Sequence, residues 1–124
     1  MHKILGHTAV RARQIAERCG EGDAPCDVDI DHLLLLWRVQ GGRCALSGRP
    51  MTHTLRAGDD RRWNVSLDRI DSSKVYARAN CQLVCVAVNR AKHDLPENEF
   101  LEMCRQVVQH NSARFGSLAR AASL

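Results

Sequence analysis

The sequence predicts a small α+β domain, and three observations carry that prediction. Residues 62–70, RWNVSLDRI, alternate Trp63, Val65 and Leu67 with Asn64, Ser66 and Asp68, the two-residue period of a half-buried strand. A second short apolar stretch, CQLVC at 81–85, follows a polar loop over 71–79 and runs into a helix-forming segment that starts near Val86. Segments with apolar residues at helical spacing flank this strand–loop–strand–helix unit: Ile30, Leu33, Leu34 and Trp37 before it, and Phe100, Leu101, Cys104, Val107 and Val108 after it. The 124-residue length favours one domain, large enough to bury a core of its own.

In chain order, residues 8–18 read as a helix with Thr8 as N-cap, rich in the helix formers Ala, Arg, Gln and Glu. Gly20, Gly22, Asp23 and Pro25 break it and mark a linker, so 1–25 reads as an N-terminal helical extension and 26–110 as the domain proper. Asp27, Asp29 and Asp31 offer caps and favourable negative charge at the start of the next helix, and Gly41-Gly42 stops it. RCALSGRPM, carrying Cys44, Ser47, Gly48 and Pro50, is a compact turn, and 54–62 is a polar loop. The helix from Val86 presents Asn89, Lys92 and His93 before Pro96 ends or redirects the chain. A last helix covers 97–109, and 111–124 is a weakly periodic tail, frayed or loosely docked.

Composition narrows the classes of function. A net charge of +4 and an isoelectric point near 8.9 admit an anionic partner without requiring one. No apolar run approaches the roughly 20 residues of a membrane span, the longest being Leu33 to Trp37. MHKILGHTAVRARQ lacks the apolar region of a signal peptide, so a cytoplasmic protein with reduced thiols is expected. The six cysteines then read as core filler or metal ligands.

Asp68, Arg69, Asp71, Asn80, Asn89, Lys92 and His93 gather around very little hydrophobic material. A hairpin with a solvated rim is the plain explanation. The motifs GGRCALSGRPM, SLDRID, NCQLVCVAVNRAK and ENEFLEMC, in this order, point further. Over roughly residues 27–108 the chain resembles the HNH endonucleases, also called ββα-metal or His-Me finger nucleases, and more narrowly the small phage and prophage HNH proteins. The resemblance implies a single ββα-metal centre packed by flanking helices, in a protein of a bacterial or phage-infected cell. It implies a divalent-metal-dependent DNA endonuclease or nickase that hydrolyses phosphodiester bonds at a one-metal site. Carried over residue by residue, it implies Asp68 and Asn89 as ligands of Mg2+ or Mn2+ and Asn80 as the brace of the intervening loop. Lys92 is implied as a following basic residue, and Arg69 falls where the family's catalytic His stands.

The implied chemistry makes physical sense of these residue types. One divalent cation stabilises charge developing on a scissile phosphate, and a hard cation takes oxygen ligands, so one carboxylate with one amide oxygen suits an open site. Arg69 cannot act as a base, because guanidinium stays protonated, but it can grip a phosphate in a fork. The general base then falls to His93, four residues after Asn89 and on the same face of a continuous helix, or to Asp71, three residues after Asp68. Two other functions fit the same residues: a catalytically silent HNH-like module that binds nucleic acid, and a phage protein that binds a host factor.

Basic residues cluster between 56 and 92, at Arg56, Arg61, Arg62, Arg69, Lys74, Arg78, Arg90 and Lys92. Arg61, Arg62, Lys74, Arg90 and Lys92 are the candidate contacts to the phosphates of double-stranded DNA, with a solvated charged face as the alternative. Many HNH proteins carry a structural zinc on two Cys-x-x-Cys knuckles. Here Ser47 and Val88 stand where the second thiols after Cys44 and Cys85 would be, so structural zinc is not expected. Cys44 and Cys85 are expected to lie together as packed thiols, and Trp63 is expected in the core.

Overall fold

The structure, a computed structural model of the chain, describes residues 14, 17, 28–74 and 76–115. The predicted helix over 8–18 and the domain boundary near residue 25 fall outside these residues, apart from Gln14 and Glu17, which are both helical. The described part is a small α+β fold of helices around a two-stranded antiparallel sheet. None of its helices is long and apolar enough to cross a membrane.

Helix α1 spans Ile30–Val39. Asp29 caps it by accepting a hydrogen bond from the His32 backbone N–H at 2.8 Å. Leu33 is its buried residue, and Ile30, Leu36 and Trp37 pack half-buried against the core. Gly41 and Gly42 end it at φ of 65° and 70°. Gly42 is required on a second count, since a Cβ there would sit 3.0 Å from the Trp37 ring.

The chain then makes the compact turn around Cys44, closed by Gly48 N–H donating to the Cys44 carbonyl at 2.9 Å. Strand β1, Val65–Arg69, pairs with β2, Cys81–Cys85, in a register that sets Leu67 opposite Leu83 and Asp68 opposite Gln82. The first strand is shorter than the sequence pattern suggests. Asn64 N–H donates to the Arg61 carbonyl at 3.1 Å, so the preceding residues form a turn, and Asn64 itself makes only an isolated bridge to Thr52. In the connection, a 3-10 turn at Arg78–Asn80 leads into β2. Helix α2, Val86–Lys92, follows β2 without a break, and α3, Glu97–His110, begins after Pro96.

The core lies between α1, the Cys44 turn and the sheet, with Leu33, Cys44, Leu67, Leu83, Val84 and Cys85 at its centre. Gln40 closes the open side of β2 in place of a third strand. Its Oε1 accepts from Leu83 N–H at 3.0 Å, and its Nε2 donates to the Leu83 carbonyl at 2.9 Å. Removing it strands a buried amide. Gln40→Ala should therefore lower stability by about 1–3 kcal/mol, measured by urea unfolding.

His93 caps α2 at φ 52° and ψ −122°, a backbone conformation that side chains disfavour and glycine tolerates. His93→Gly should raise stability by about 1 kcal/mol, read as a higher urea midpoint at unchanged slope.

Candidate functional site

Strand alternation decides what each residue of SLDRID can do. Ser66 and Asp68 point to the face of the hairpin that α2 covers, whereas Arg69 points away from it. Asp68 is 5% exposed and Lys92 is 0% exposed. The Lys92 ammonium donates to Asp68 Oδ2 at 2.7 Å and to the Arg69 carbonyl at 2.7 Å. Gln82, opposite Asp68 in the register, donates its amide to the same Oδ2 at 3.0 Å and also to Glu97 Oε1. One network thus joins β1, β2, α2 and the first turn of α3. Asn89, one turn before Lys92, donates its amide to Ser66 Oγ at 2.7 Å and to the Leu67 carbonyl at 3.2 Å.

Outside this buried network two clefts adjoin. One, of about 480 Å³, is lined by Ser66, Arg69, Val86, Asn89, Arg90, His93 and Asp94. The other, of about 530 Å³, is lined by Arg61, Arg62, Asn64, Val86 and Arg90 together with Gln14, Thr54 and Leu55. Val86 and Arg90 border both, so the two clefts meet at Arg90. Backbone oxygens aim two of them: Arg61 Nη2 donates to the Leu55 carbonyl at 3.1 Å, and Arg69 Nη1 to the Lys74 carbonyl at 3.1 Å. Such bonds orient a guanidinium without neutralising it. The Arg69 guanidinium also lies 4.9 Å from the centre of the Tyr76 ring. Arg62 differs, being in a fork-like pair with Asp60 at 2.8 Å, and that pair holds the Asp60 carboxyl down to about 2.

The remaining candidates separate by position. Lys92 leaves the set of DNA contacts, because a side chain with no exposed surface cannot reach a phosphate. Lys74 lies outside both clefts, 3.9 Å from Asp71 Oδ2, and Arg78 is engaged with Asp29 at 2.6 Å. Asp71 also lies outside them. Its carboxylate accepts from Ser73 N–H and from the Ser73 hydroxyl, and these bonds, with the nearby Lys74 and Arg69 charges, hold it below the usual carboxylate range. A depressed carboxylate is a weaker base. His93 does line the cleft beside Asn89, but not by helical spacing: α2 ends at Lys92, and the turned backbone carries His93 there. It pairs with Asp94 at 3.1 Å, and both side chains are exposed. Asn80 clamps the polar loop by accepting from Asp71 N–H at 2.9 Å and donating to the Asp71 carbonyl at 3.0 Å.

Several residues that shape the site carry no motif. Gln82 is visible only through the cross-strand register. Asn64, 5% exposed, organises the cleft wall by accepting from Thr52 Oγ1 at 2.8 Å and Thr54 N–H at 3.0 Å, and by donating to the Thr54 carbonyl at 2.9 Å. Trp63 is half-buried rather than enclosed, with the Arg49 guanidinium 3.5 Å from its ring centre.

Cys44 and Cys85 are both buried and their thiols interact. Burial pushes the Cys85 thiol up, and the neighbouring Cys44 adds to that. Burial works the same way on Cys44, but hydrogen bonds from Ser47 and from the Cys85 and Leu46 backbone together outweigh it and leave that thiol lowered. Ala45 N–H donating to the Leu83 carbonyl at 2.9 Å holds the turn to β2 beside them.

Part of the donor set that the resemblance assigns to a magnesium or manganese ion is already engaged. Asp68 Oδ2 already receives an ammonium and an amide, and the Asn89 amide is turned onto Ser66 and Leu67. Asp68 is also absent from the residues lining the cleft that contains Asn89. Among the described residues no group of three or more His, Cys, Asp or Glu is placed to hold a metal ion. Comparison of the chain with protein-family models, with curated proteins and with solved structures finds no match to any of them.

Removing either member of the buried pair leaves its partner charged and unpaired. Asp68→Ala and Lys92→Ala should each cost about 3–5 kcal/mol, read as a large fall in the urea midpoint of unfolding.

Proposed function

We propose that this protein is a DNA-binding module built on an HNH-like ββα unit, its arginine-walled clefts gripping the phosphates of a duplex. The observation that carries the reading is the commitment of Asp68 to Lys92: the acid that the resemblance assigns to the metal is instead a closed part of the fold. Arg61, Arg69 and Arg90 are arranged along the neighbouring clefts, two of them aimed by carbonyl oxygens and so still charged. The net charge of +4 agrees with an anionic partner. Arg69, at the position where the family places its catalytic base, then serves as a phosphate contact.

Phosphodiester cleavage by a metal-dependent endonuclease or nickase is the second reading. One observation favours it: His93, whose imidazole is a residue type suited to general-base chemistry, lines the same cleft as Arg69, Asn89 and Arg90. Use of Asp68 Oδ2 as a ligand in that case requires Lys92 to leave it.

Fluorescence anisotropy with a labelled duplex tests the binding reading. Affinity should fall steeply between about 50 and 200 mM salt. Arg90→Ala should reduce the slope of log affinity against log salt by about 0.9, the share of one phosphate contact, whereas Lys74→Ala should leave it unchanged. Absence of salt-dependent binding defeats the proposal. Nicking of supercoiled plasmid that needs Mg2+ or Mn2+ and is lost in His93→Ala would establish the second reading instead.

A further inference from the structure

Helix α3 has an apolar face that the rest of the described residues leave exposed. Of its 14 residues only Phe100 is buried, and residues 101–110 are all exposed. Leu101 is 47% exposed, Met103 40%, Val107 57% and Val108 44%, and Phe115, in the helical turn that follows, is 49% exposed. Within α3, Leu101, Cys104 and Val108 recur at spacings of three and four residues, with Met103 and Val107 beside them, the pattern of an apolar helix face. A contiguous apolar strip of this kind on an exposed helix marks an interaction surface.

The charges along the same helix identify the occupant. Glu97 is engaged by Gln82 and Glu102 pairs with Arg105 inside the helix, which leaves Glu99 in the first turn and His110 and Arg114 in the last turn and just beyond it as the charges open to a partner. A second α3 laid antiparallel sets the acidic half of each copy against the basic half of the other, while a parallel partner sets like against like. A two-fold axis requires such self-complementarity. With the axis near the middle of the helix, Leu101 and Val108 of one copy meet the same strip of the other. The exposed Cys104 of each copy then lies close to its counterpart.

We propose that two copies of this chain associate through an antiparallel pairing of their α3 helices, with Leu101, Cys104 and Val108 at the contact. The interface is separate from the arginine clefts, so it stands whether or not the chain binds DNA.

Sedimentation equilibrium on the full chain from about 1 to about 200 µM tests it, since a homodimer must depend on protomer concentration. The mass should rise with concentration towards twice the 13.9 kDa of the chain. Leu101→Glu with Val108→Glu should hold it at the monomer mass, with an unchanged circular dichroism spectrum. A short bis-maleimide should cross-link the wild-type dimer and fail on Cys104→Ser. Glu99→Lys should weaken an antiparallel dimer, and a dimer that it strengthens is parallel and overturns the proposal. A chain that remains monomeric at every concentration, as it would if residues 1–27 covered the strip, overturns it too. So does a dimer that persists in the double variant.

Discussion

The arrangement of this protein depends on a lysine ammonium placed where water cannot reach it. Lys92 is fully buried, and an unpaired ammonium in such a position costs several kcal/mol. Asp68 supplies the opposite charge at 2.7 Å, and the Arg69 carbonyl takes a second donor. The pair works only if α2 lies across β1 at the level of Asp68, and only if β2 sets Gln82 opposite Asp68. Gln82 then carries the network to Glu97 at the start of α3. A slip of one residue in the hairpin would turn Asp68 to the other face and strand the ammonium, so the ion pair fixes the register as well as the helix.

The same alternation explains why neighbours in SLDRID have opposite fates. With Asp68 turned in, Arg69 must turn out, and Lys74 and Tyr76 hold it there. Arg69 is the one arginine of the two strands; Arg61 and Arg62 come from the turn before β1 and Arg90 from α2. The fold thus keeps a closed charge pair in its interior and leaves guanidinium groups along the clefts. An anionic duplex would meet only the second set.

Much of the architecture was legible in the sequence because it rests on local patterns. The helix from Ile30, the strand at 81–85, the start of α2 and the last helix all follow from periodicity, Gly41-Gly42 and Pro96. The beginning of β1 did not, because Trp63 and Asn64 continue the alternating pattern while a hydrogen-bonded turn at Arg61 to Asn64 ends the pairing. Lys92 was misread for a different reason. A lysine near a helix end is ordinarily solvated, and only the three-dimensional proximity of Asp68, 24 residues earlier, makes its burial tolerable. His93 reached the cleft through a backbone conformation that no spacing rule anticipates in a residue other than glycine. The strand, loop, strand and helix between Val65 and Lys92 were readable in order, yet the roles of the side chains inside them depended on which face each one took.

The central claim is that Asp68 and Lys92 serve the fold while the arginines serve the ligand. The most direct measurement is the DNA affinity, and its salt dependence, of the double variant Asp68→Asn/Lys92→Met, which removes both charges and retains an amide and a side chain of similar volume. The account predicts a folded protein with the affinity and salt slope of the wild type. A folded double variant that no longer binds DNA would show that the pair belongs to the functional site, and would contradict it.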